Sequence, residues 1–339
     1  MENPLGVGII GVGRTARAVA AACRDVPELQ LLAVAEVDEP KGVAFASEWG
    51  ISLYPHYDDL LARPDISAVF MLLPHFLHHP VGLAALEAGT HLFVEKPMAR
   101  SVAECTEMLD AARQAGRQIM VGHHYHFTSP TRAVRDVLRS GEVGRPIMAT
   151  DVWHKPFFGE PRPPWFLDAT KGGGAWPMNA SHMIDRLMWS TSQRVASVLA
   201  QVGSPIFGLS ATDSGIAHLR FEEGFSACVS HGAYKDGVRR FETEFVCTEA
   251  MLRVTAEEVF IGRSGEYTAI PLTPVHAQRE QVAAFGRALA NGEAMPVTGA
   301  YGREVVSVLQ ATEESARRGC EVQVADILRP DSYSEGSLR

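Results

Sequence analysis

The sequence predicts an α/β chain in two parts: a doubly wound parallel sheet, then an α+β region whose open sheet is mostly antiparallel. Three observations carry this expectation. Apolar, β-branched runs alternate with helical patterns as far as Gly122, the rhythm of successive βαβ units. From Val195 to Ile270 short alternating runs follow one another with turns at roughly ten-residue spacing, as antiparallel strands do. Two helical patterns then close the chain, Arg279 to Asn291 and Gly302 to Arg318.

Leu5 to Ile10 reads as a buried parallel strand, because it is apolar throughout and runs into glycines. The alanine-rich stretch Arg14 to Cys23 reads as a helix, and Leu29 to Val37 as a second strand. Lys41 to Trp49 and Asp58 to Leu61 are helical, and Ala68 to Leu73 is a third strand. Val81 to Ala88 is a helix stopped by Gly89, a residue that tolerates the left-handed turn after a helix. His91 to Val94 is a strand leading into Glu95-Lys96-Pro97. Val102 to Ala115 is a helix ended by Gly116, and Gln118 to Gly122 is another strand.

After Gly122 the texture changes. Tyr125 to Ser140 holds a helix, Lys155 to Gly174 reads as a loop rich in Pro, Gly and aromatics, and Ala180 to Ser190 as a helix. The expected division is residues 1–122, 123–330 and a tail, 331–339, with the closing helices packing back on the first domain. The tail, from Asp331, has the composition of a disordered end.

Composition narrows the function classes. Of 339 residues, 46% are hydrophobic and 21% charged, a globular balance. The formal net charge of -9 argues against nucleic acid as a partner. Five cysteines without a C-x-x-C pair suggest reduced thiols rather than a disulfide framework or zinc site. No signal-peptide pattern opens the chain, and its longest apolar runs are too short to span a bilayer. A cytoplasmic location is expected.

Gly11-Val12-Gly13-Arg14-Thr15-Ala16 fits G-x-G-x-x-A between a strand and a helix, the context that gives this pattern meaning. Gly11 makes the tight turn, Gly13 lets backbone approach a pyrophosphate, and Ala16 lets helix pack on strand. The helix N-terminus offers N–H groups and positive dipole to the phosphates. Glu36, twenty residues after Ala16, stands where an acid accepts from the adenosine ribose hydroxyls. A carboxylate there repels a 2′-phosphate, so NAD is expected over NADP. Arg14 and Lys41 are the cations that would favour NADP.

With these motifs in hand, the chain resembles the glucose–fructose oxidoreductase, inositol dehydrogenase and MocA (Gfo/Idh/MocA) family along nearly its whole length. The resemblance rests on the glycine loop, Pro74-His75-Phe76-Leu77-His78, Ala84 to His91, Glu95-Lys96-Pro97, Gly172-Gly173-Gly174 and His182-Met183-Ile184-Asp185, then Phe285 and Ser315 to Gly319. It implies a Rossmann domain and NAD(P)-dependent oxidation of a secondary alcohol, or reduction of a ketone, on a sugar, cyclitol or similar molecule. It places the site between the two domains and a homodimer or homotetramer interface on the C-terminal sheet.

The resemblance also assigns residues. Lys96 is the ammonium beside the reacting oxygen, and His182 the imidazole that exchanges a proton near neutral pH. Cofactor contacts are Gly11, Val12, Gly13, Arg14, Thr15, Glu36, Pro74, His78, Glu95 and Lys96. Asp185, at i+3 from His182, fixes the helix or orients neighbours. Beyond what the resemblance assigns, substrate contacts are expected at His124, His126, Trp165, Met178 and Asn179, beside His182.

Two departures stand out. Met178 occupies the family's aspartate position. His124 and His126 replace the Asn and Arg of the family's V-G-x-N-x-R stretch. They admit a substrate with an apolar, aromatic or anionic part. Read as a strand, His124 and His126 share a face and His123 points away. No metal is expected there. The aromatics Trp153, Phe157, Phe158, Trp165 and Phe166 form either a substrate lid or a self-packed loop, and Lys155, Arg162 and Lys171 read as surface charges. Two other readings stay open: an NAD-binding regulatory protein without robust catalysis, and a lyase or hydrolase with a retained NAD.

Overall fold

A computed structural model describes residues 4–157 and 162–329. Phe158 of the aromatic stretch, the first residues of the chain and the tail from Asp331 lie outside the described residues. The chain divides into two compact units. One takes in the chain to Phe127 together with His276–Glu304; the other takes in Thr128–Val275 and the chain from Val305 onward.

The first unit is built on six parallel strands, β1 (Leu5–Ile10), β2 (Leu29–Ala35), β3 (Ser52–Tyr54), β4 (Ala68–Met71), β5 (His91–Val94) and β6 (Ile119–Val121). Their order is β3-β2-β1-β4-β5-β6, the doubly wound order with its switch point beside β1. Buried on both faces, these strands carry continuous apolar runs rather than alternation, as all four buried residues of β4 illustrate. Helices α1 (Ala16–Asp25), α2 (Glu39–Trp49), α3 (Tyr57–Leu61), α4 (His78–Glu87) and α5 (Val102–Ala115) connect them. Local signals set their ends. Asp38 caps α2 by accepting the Lys41 N–H, and Ser101 caps α5 by accepting that of Glu104. Phe70 of β4, Phe93 of β5 and Phe285 form a triangle of rings with centroids 5.2, 5.2 and 5.7 Å apart, at the centre of this core. Phe285 comes from α8 (Ala277–Asn291).

The second unit holds α6 (Ser129–Ser140), β7 (Pro146–Pro156), α7 (Ala175–Thr191) and β8 (Val195–Gly203). Beyond them come β9 (Ser214–Phe221), β10 (Ser226–Tyr234), β11 (Arg240–Cys247), β12 (Met251–Val254), β13 (Val259–Arg263) and β14 (Glu266–Ala269). Helix α9 (Gly299–Arg318), β15 (Val322–Gln323) and α10 (Val324–Leu328) complete the described chain. The nine strands run β14-β13-β12-β11-β7-β10-β9-β8-β15. All neighbours are antiparallel except β7 and β10, which are parallel, so the sheet is mixed and mostly antiparallel as expected.

Register sorts the residues of this sheet by face. Ala217, Val229, Asp151 and Thr243 form one buried row across β9, β10, β7 and β11. The next row, His218, Cys228, Thr150 and Glu244, lies on the opposite face, with Leu199 of β8 beside it. Helix α7 packs on β10 on the buried side. The expected start of α7 is corrected: the helix begins at Ala175 rather than Ala180.

Candidate active site

In the first unit the candidate site forms at the C-terminal edge of the parallel sheet. Gly11 follows β1 with φ +91°, a conformation that side chains rarely adopt. A Cβ on Gly13 would stand 2.9 Å from the Leu72 carbonyl oxygen, so glycine there also lets the loop lie against the end of β4. Behind the loop, the N-cap Thr15 makes no side-chain capping bond and the first turn of α1 holds no acid. The positive end of α1 is therefore not neutralised by its own side chains. This donor set fits a dinucleotide diphosphate.

Glu36, just past β2, is fixed. Its carboxylate accepts the Val12 N–H at 2.7 Å and the Asp38 N–H at 3.1 Å, and the Lys41 ammonium lies 3.3 Å away. Burial pushes its pKa up, but the two N–H donors and the Lys41 charge outweigh it, leaving the carboxyl below its ordinary value. The glycine loop and the acid thus form one hydrogen-bonded unit.

Strand β5 delivers Glu95 and Lys96 to the same edge. Lys96 is 7% exposed, unusual for a lysine, and precedes a cis peptide bond to Pro97. The Glu95 carboxyl lies against Gly122, where a Cβ would come within 3.2 Å of its Oε2. Burial raises the Glu95 pKa against the opposing pull of Lys96. Pro74, three residues past β4, leads a short 3-10 turn, His75–Leu77.

His78 corrects an expectation. It is fully buried, with Nδ1 2.8 Å from the Pro97 carbonyl oxygen and Nε2 2.9 Å from that of Leu73. Burial lowers its pKa, so the neutral ring donates to one carbonyl and faces the other. It ties the residue after Lys96 to the end of β4 and presents nothing to a cofactor.

The histidine run is corrected too. His124–Phe127 is a 3-10 turn, not a strand. At three residues per turn, His123 and His126 stand over one another. Their rings stack with centroids 6.0 Å apart, and His126 packs on Tyr301 at 5.4 Å. Both histidines are buried, and the His126 ring packs between those of His123 and Tyr301. His124 is half-buried and lies against Tyr125, ring centroids 4.4 Å apart.

In the second unit Gly174 leads α7, and a Cβ there would meet the Thr212 carbonyl oxygen at 2.3 Å. Helix α7 carries Met178, Asn179 and His182. The His182 ring stands 6.0 Å from that of Trp153 on β7 and is 6% exposed. Met178 packs instead against the apolar cluster of Phe157, Phe166, Ala175 and Ala233, which also receives Trp165. Phe157, Trp165 and Phe166 therefore pack on one another, whereas Trp153 packs on Phe241, His231 and His182. Asn179 is 3% exposed, and both ends of its amide are bonded within the protein.

Sequence reading missed the partners of Asn179. Its Oδ1 accepts from Lys155 Nζ at 2.9 Å, and its Nδ2 donates to His231 Nε2 at 3.1 Å. His231 Nδ1 donates to the Trp153 carbonyl at 2.6 Å. Burial pushes the His231 imidazole down to about 4, which keeps it neutral. No motif marks these residues. The only sequence signal was Trp153 and Lys155 standing two apart, hence on one face if the stretch is a strand.

Beneath them, Arg186 donates to both carboxylate oxygens of Asp151 at 2.8 Å, and Thr243 donates to the same carboxylate at 2.9 Å. Burial pushes the Asp151 carboxyl up, against the pull of Arg186 and Thr243. Among the described residues no three His, Cys, Asp or Glu converge as a metal site.

Comparison with known proteins agrees with the two-part reading. Residues 5–123 match the model of an oxidoreductase family with an NAD-binding Rossmann fold, and residues 131–253 match the GFO/IDH/MocA C-terminal domain. The chain belongs to the Gfo/Idh/MocA oxidoreductase family. Like the family, it is an NAD-binding oxidoreductase. A curated relative, the 1,5-anhydro-D-fructose reductase of Ensifer adhaerens, is 26% identical over 330 residues, covering 94% of this chain and 98% of its own. Two solved structures share the fold. The aldose–aldose oxidoreductase of Caulobacter crescentus, complexed with glycerol, has a TM-score of 0.86 at 23% identity, over 94% of this chain and 99% of its own. The scyllo-inositol dehydrogenase of Lactobacillus casei, with NAD(H) and scyllo-inositol, has a TM-score of 0.81 at 22% identity, over 95% and 99%.

Proposed function

We propose that this oxidoreductase acts on a secondary alcohol, or the matching ketone, of a sugar, cyclitol or related cyclic molecule, with NAD preferred to NADP. The observation that carries the reading is Lys96, a nearly buried ammonium on the sheet edge that also bears the glycine loop. The substrates named for the Ensifer, Caulobacter and Lactobacillus proteins support the class.

When bound, NAD supplies the hydride acceptor. Gly11, Val12, Gly13, Arg14 and Thr15 hold its diphosphate, and Glu36 accepts from the adenosine ribose hydroxyls. Pro74 shapes the pocket wall and Glu95 orients Lys96. The Lys96 ammonium holds the reacting oxygen and stabilises its negative charge as the alkoxide develops, an interaction stronger in the transition state than before it. His182 exchanges the hydroxyl proton. His124, half-buried where His126 is not, is the histidine of the run left to meet substrate.

The experiment is a spectrophotometric screen of NAD reduction against sugars, cyclitols, sugar acids and dihydrodiols, repeated with Lys96→Met. Turnover should appear with one of these classes, and the variant should lose it by about 10²–10³-fold while still binding NADH. Turnover by Lys96→Met at the wild-type rate, or no turnover of any alcohol, would refute the assignment.

The free face of the nine-stranded sheet exposes Met148, Leu199 and Ile216, which suits a homodimer or homotetramer contact. Sedimentation of the wild type and of Leu199→Glu tests it. No described helix is long and apolar enough to cross a membrane, and the five cysteines are free thiols.

A further inference from the structure

The hydrogen bonds around Asn179 all run in one direction. The Trp153 carbonyl can only accept, so the N–H of His231 is on Nδ1. A neutral His231 must then accept at Nε2, which fixes the Asn179 amide with its nitrogen toward His231. The amide oxygen is left for the Lys155 ammonium. Donors and acceptors agree at every link, as a fully satisfied buried chain requires. The ammonium it holds lies 4.5 Å from the centroid of the Trp153 ring, a cation–π distance. Trp153 is thus held twice, by its carbonyl and by its ring face.

The register explains why these groups meet. His231, Trp153 and Phe241 are neighbours across β10, β7 and β11 on the side that α7 covers. Phe241 closes one edge of the indole at 5.2 Å, nearly perpendicular. The His182 ring rests by the indole at 6.0 Å, tilted by 41°. Asn179 lies three residues before His182, on the same face of α7.

We propose that Lys155, Asn179 and His231 are positioning residues for His182: their chain holds the Trp153 ring as the wall against which the His182 imidazole is oriented. The catalytic consequence rests on the role given to His182 above; the positioning itself does not.

Two variants at Asn179 test it. Asn179→Leu removes both links at similar volume. Asn179→Asp keeps the acceptor for Lys155 but loses the donor to His231, and the chain re-forms only when His231 takes up a proton and donates from Nε2. The groups facing His231 are Lys155 and His154 on β7, Asp213 before β9 and position 179 on α7. The new carboxylate raises the His231 pKa above its wild-type value. The aspartate variant is therefore rebuilt at low pH and loses the chain as pH rises through that value. The wild type, with a neutral His231 and an amide, shows no such limb.

The readouts are the His182 ring C–H resonances of histidine-labelled protein, assigned as those missing in His182→Gln, and initial rates with the best alcohol of the screen. In Asn179→Leu the His182 resonances leave their ring-shifted positions, and kcat falls by about a hundredfold, the cost of an ångström-scale misplacement, at unchanged NADH affinity. In Asn179→Asp both recover at low pH only. A folded Asn179→Leu with wild-type His182 resonances overturns the proposal, as does an Asn179→Asp without the pH limb. Shifted resonances in a protein that turns over no alcohol uphold the positioning and refute the proposed function instead.

Discussion

Removing Asp151 should cost the second unit several kcal/mol of stability, and more than removing its partner, Arg186. Asp151 is fully buried and Arg186 is 4% exposed, and they meet through three N–H···O contacts of 2.8, 2.8 and 3.3 Å. Truncating one partner of such a pair costs about 3–5 kcal/mol, because the other charge stays buried. The two halves are not equivalent. In Asp151→Ala the guanidinium cannot lose its proton, and the Phe241 ring, whose centroid lies 4.5 Å away, offsets about 2 kcal/mol at best. In Arg186→Met the carboxyl can neutralise itself, since burial already pushes it up.

The pH dependence differs accordingly. With Arg186 gone, the folded state binds a proton on Asp151 that the unfolded state releases near pH 4, by the ordinary aspartate value. Arg186→Met is then most stable at low pH and loses about 1.4 kcal/mol per pH unit between the unfolded and folded pKa values. Asp151→Ala shows no such slope from this site. Arg186 lies four residues after His182 on α7, so the pair also pins the helix that carries the imidazole, and both variants should lower turnover. Urea unfolding followed by tryptophan fluorescence, at several pH values, measures the effect. The double change Asp151→Leu with Arg186→Met should recover most of the loss, since apolar replacement of a buried pair is close to neutral. If each single change costs under about 1 kcal/mol and the double change is no better, the pair is not a buried unit.

Three other outcomes are expected. Glu36→Gln removes the charge that repels a 2′-phosphate while keeping an acceptor for Val12, so the NAD preference in kcat/KM should drop by about tenfold or more; an unchanged ratio refutes the role of Glu36. Gly13→Ala sets a methyl 2.9 Å from the Leu72 carbonyl oxygen, a backbone atom that must shift, and should weaken NADH binding by fluorescence titration and lower urea resistance as well; unchanged NADH affinity refutes the role of the loop. His126→Phe keeps a flat ring on Tyr301, so kcat/KM should stay within about twofold, whereas the same change at a residue that touches substrate would cost about tenfold or more.

What the sequence disclosed followed the range of the forces involved. Strands β1 and β5 were legible to the residue because a strand buried on both faces leaves an uninterrupted apolar run. The expected ends of α5 coincide with those observed, because Gly116 and the Ser101 cap act within a few residues. Strand β7 was not legible, although it is the longest of the sheet. It carries a charged residue, Asp151, in its buried row, prolines at both ends, and half-buried positions from Trp153 to Pro156 where alternation fades. Its charge is intelligible only with Arg186 in place, 35 residues away. Helix α7 hid its first turn because Pro177 and the preceding glycines read as loop, yet proline is tolerated in a first turn, where no helical hydrogen bond is lost.

The same distinction divides the candidate site. The glycine loop and Glu36 were readable because a strand–loop–helix unit places an acid at fixed spacing, and the Val12 to Glu36 bond is that unit's own geometry. The histidine run failed for the opposite reason. A period of two was assumed where the chain turns with a period of three, and the face assignment reversed, pairing His126 with His123 instead of His124. The Asn179 chain joins residues 24, 52 and 78 positions apart, one link each to a strand, a helix and a backbone carbonyl. No local pattern encodes such a set, because each member is ordinary alone: a lysine on a strand, an asparagine in a helix, a buried histidine. Their meaning comes from the β7–β10 register, and a one-residue slip there would turn Trp153 and Lys155 to the free face and leave His182 without its wall.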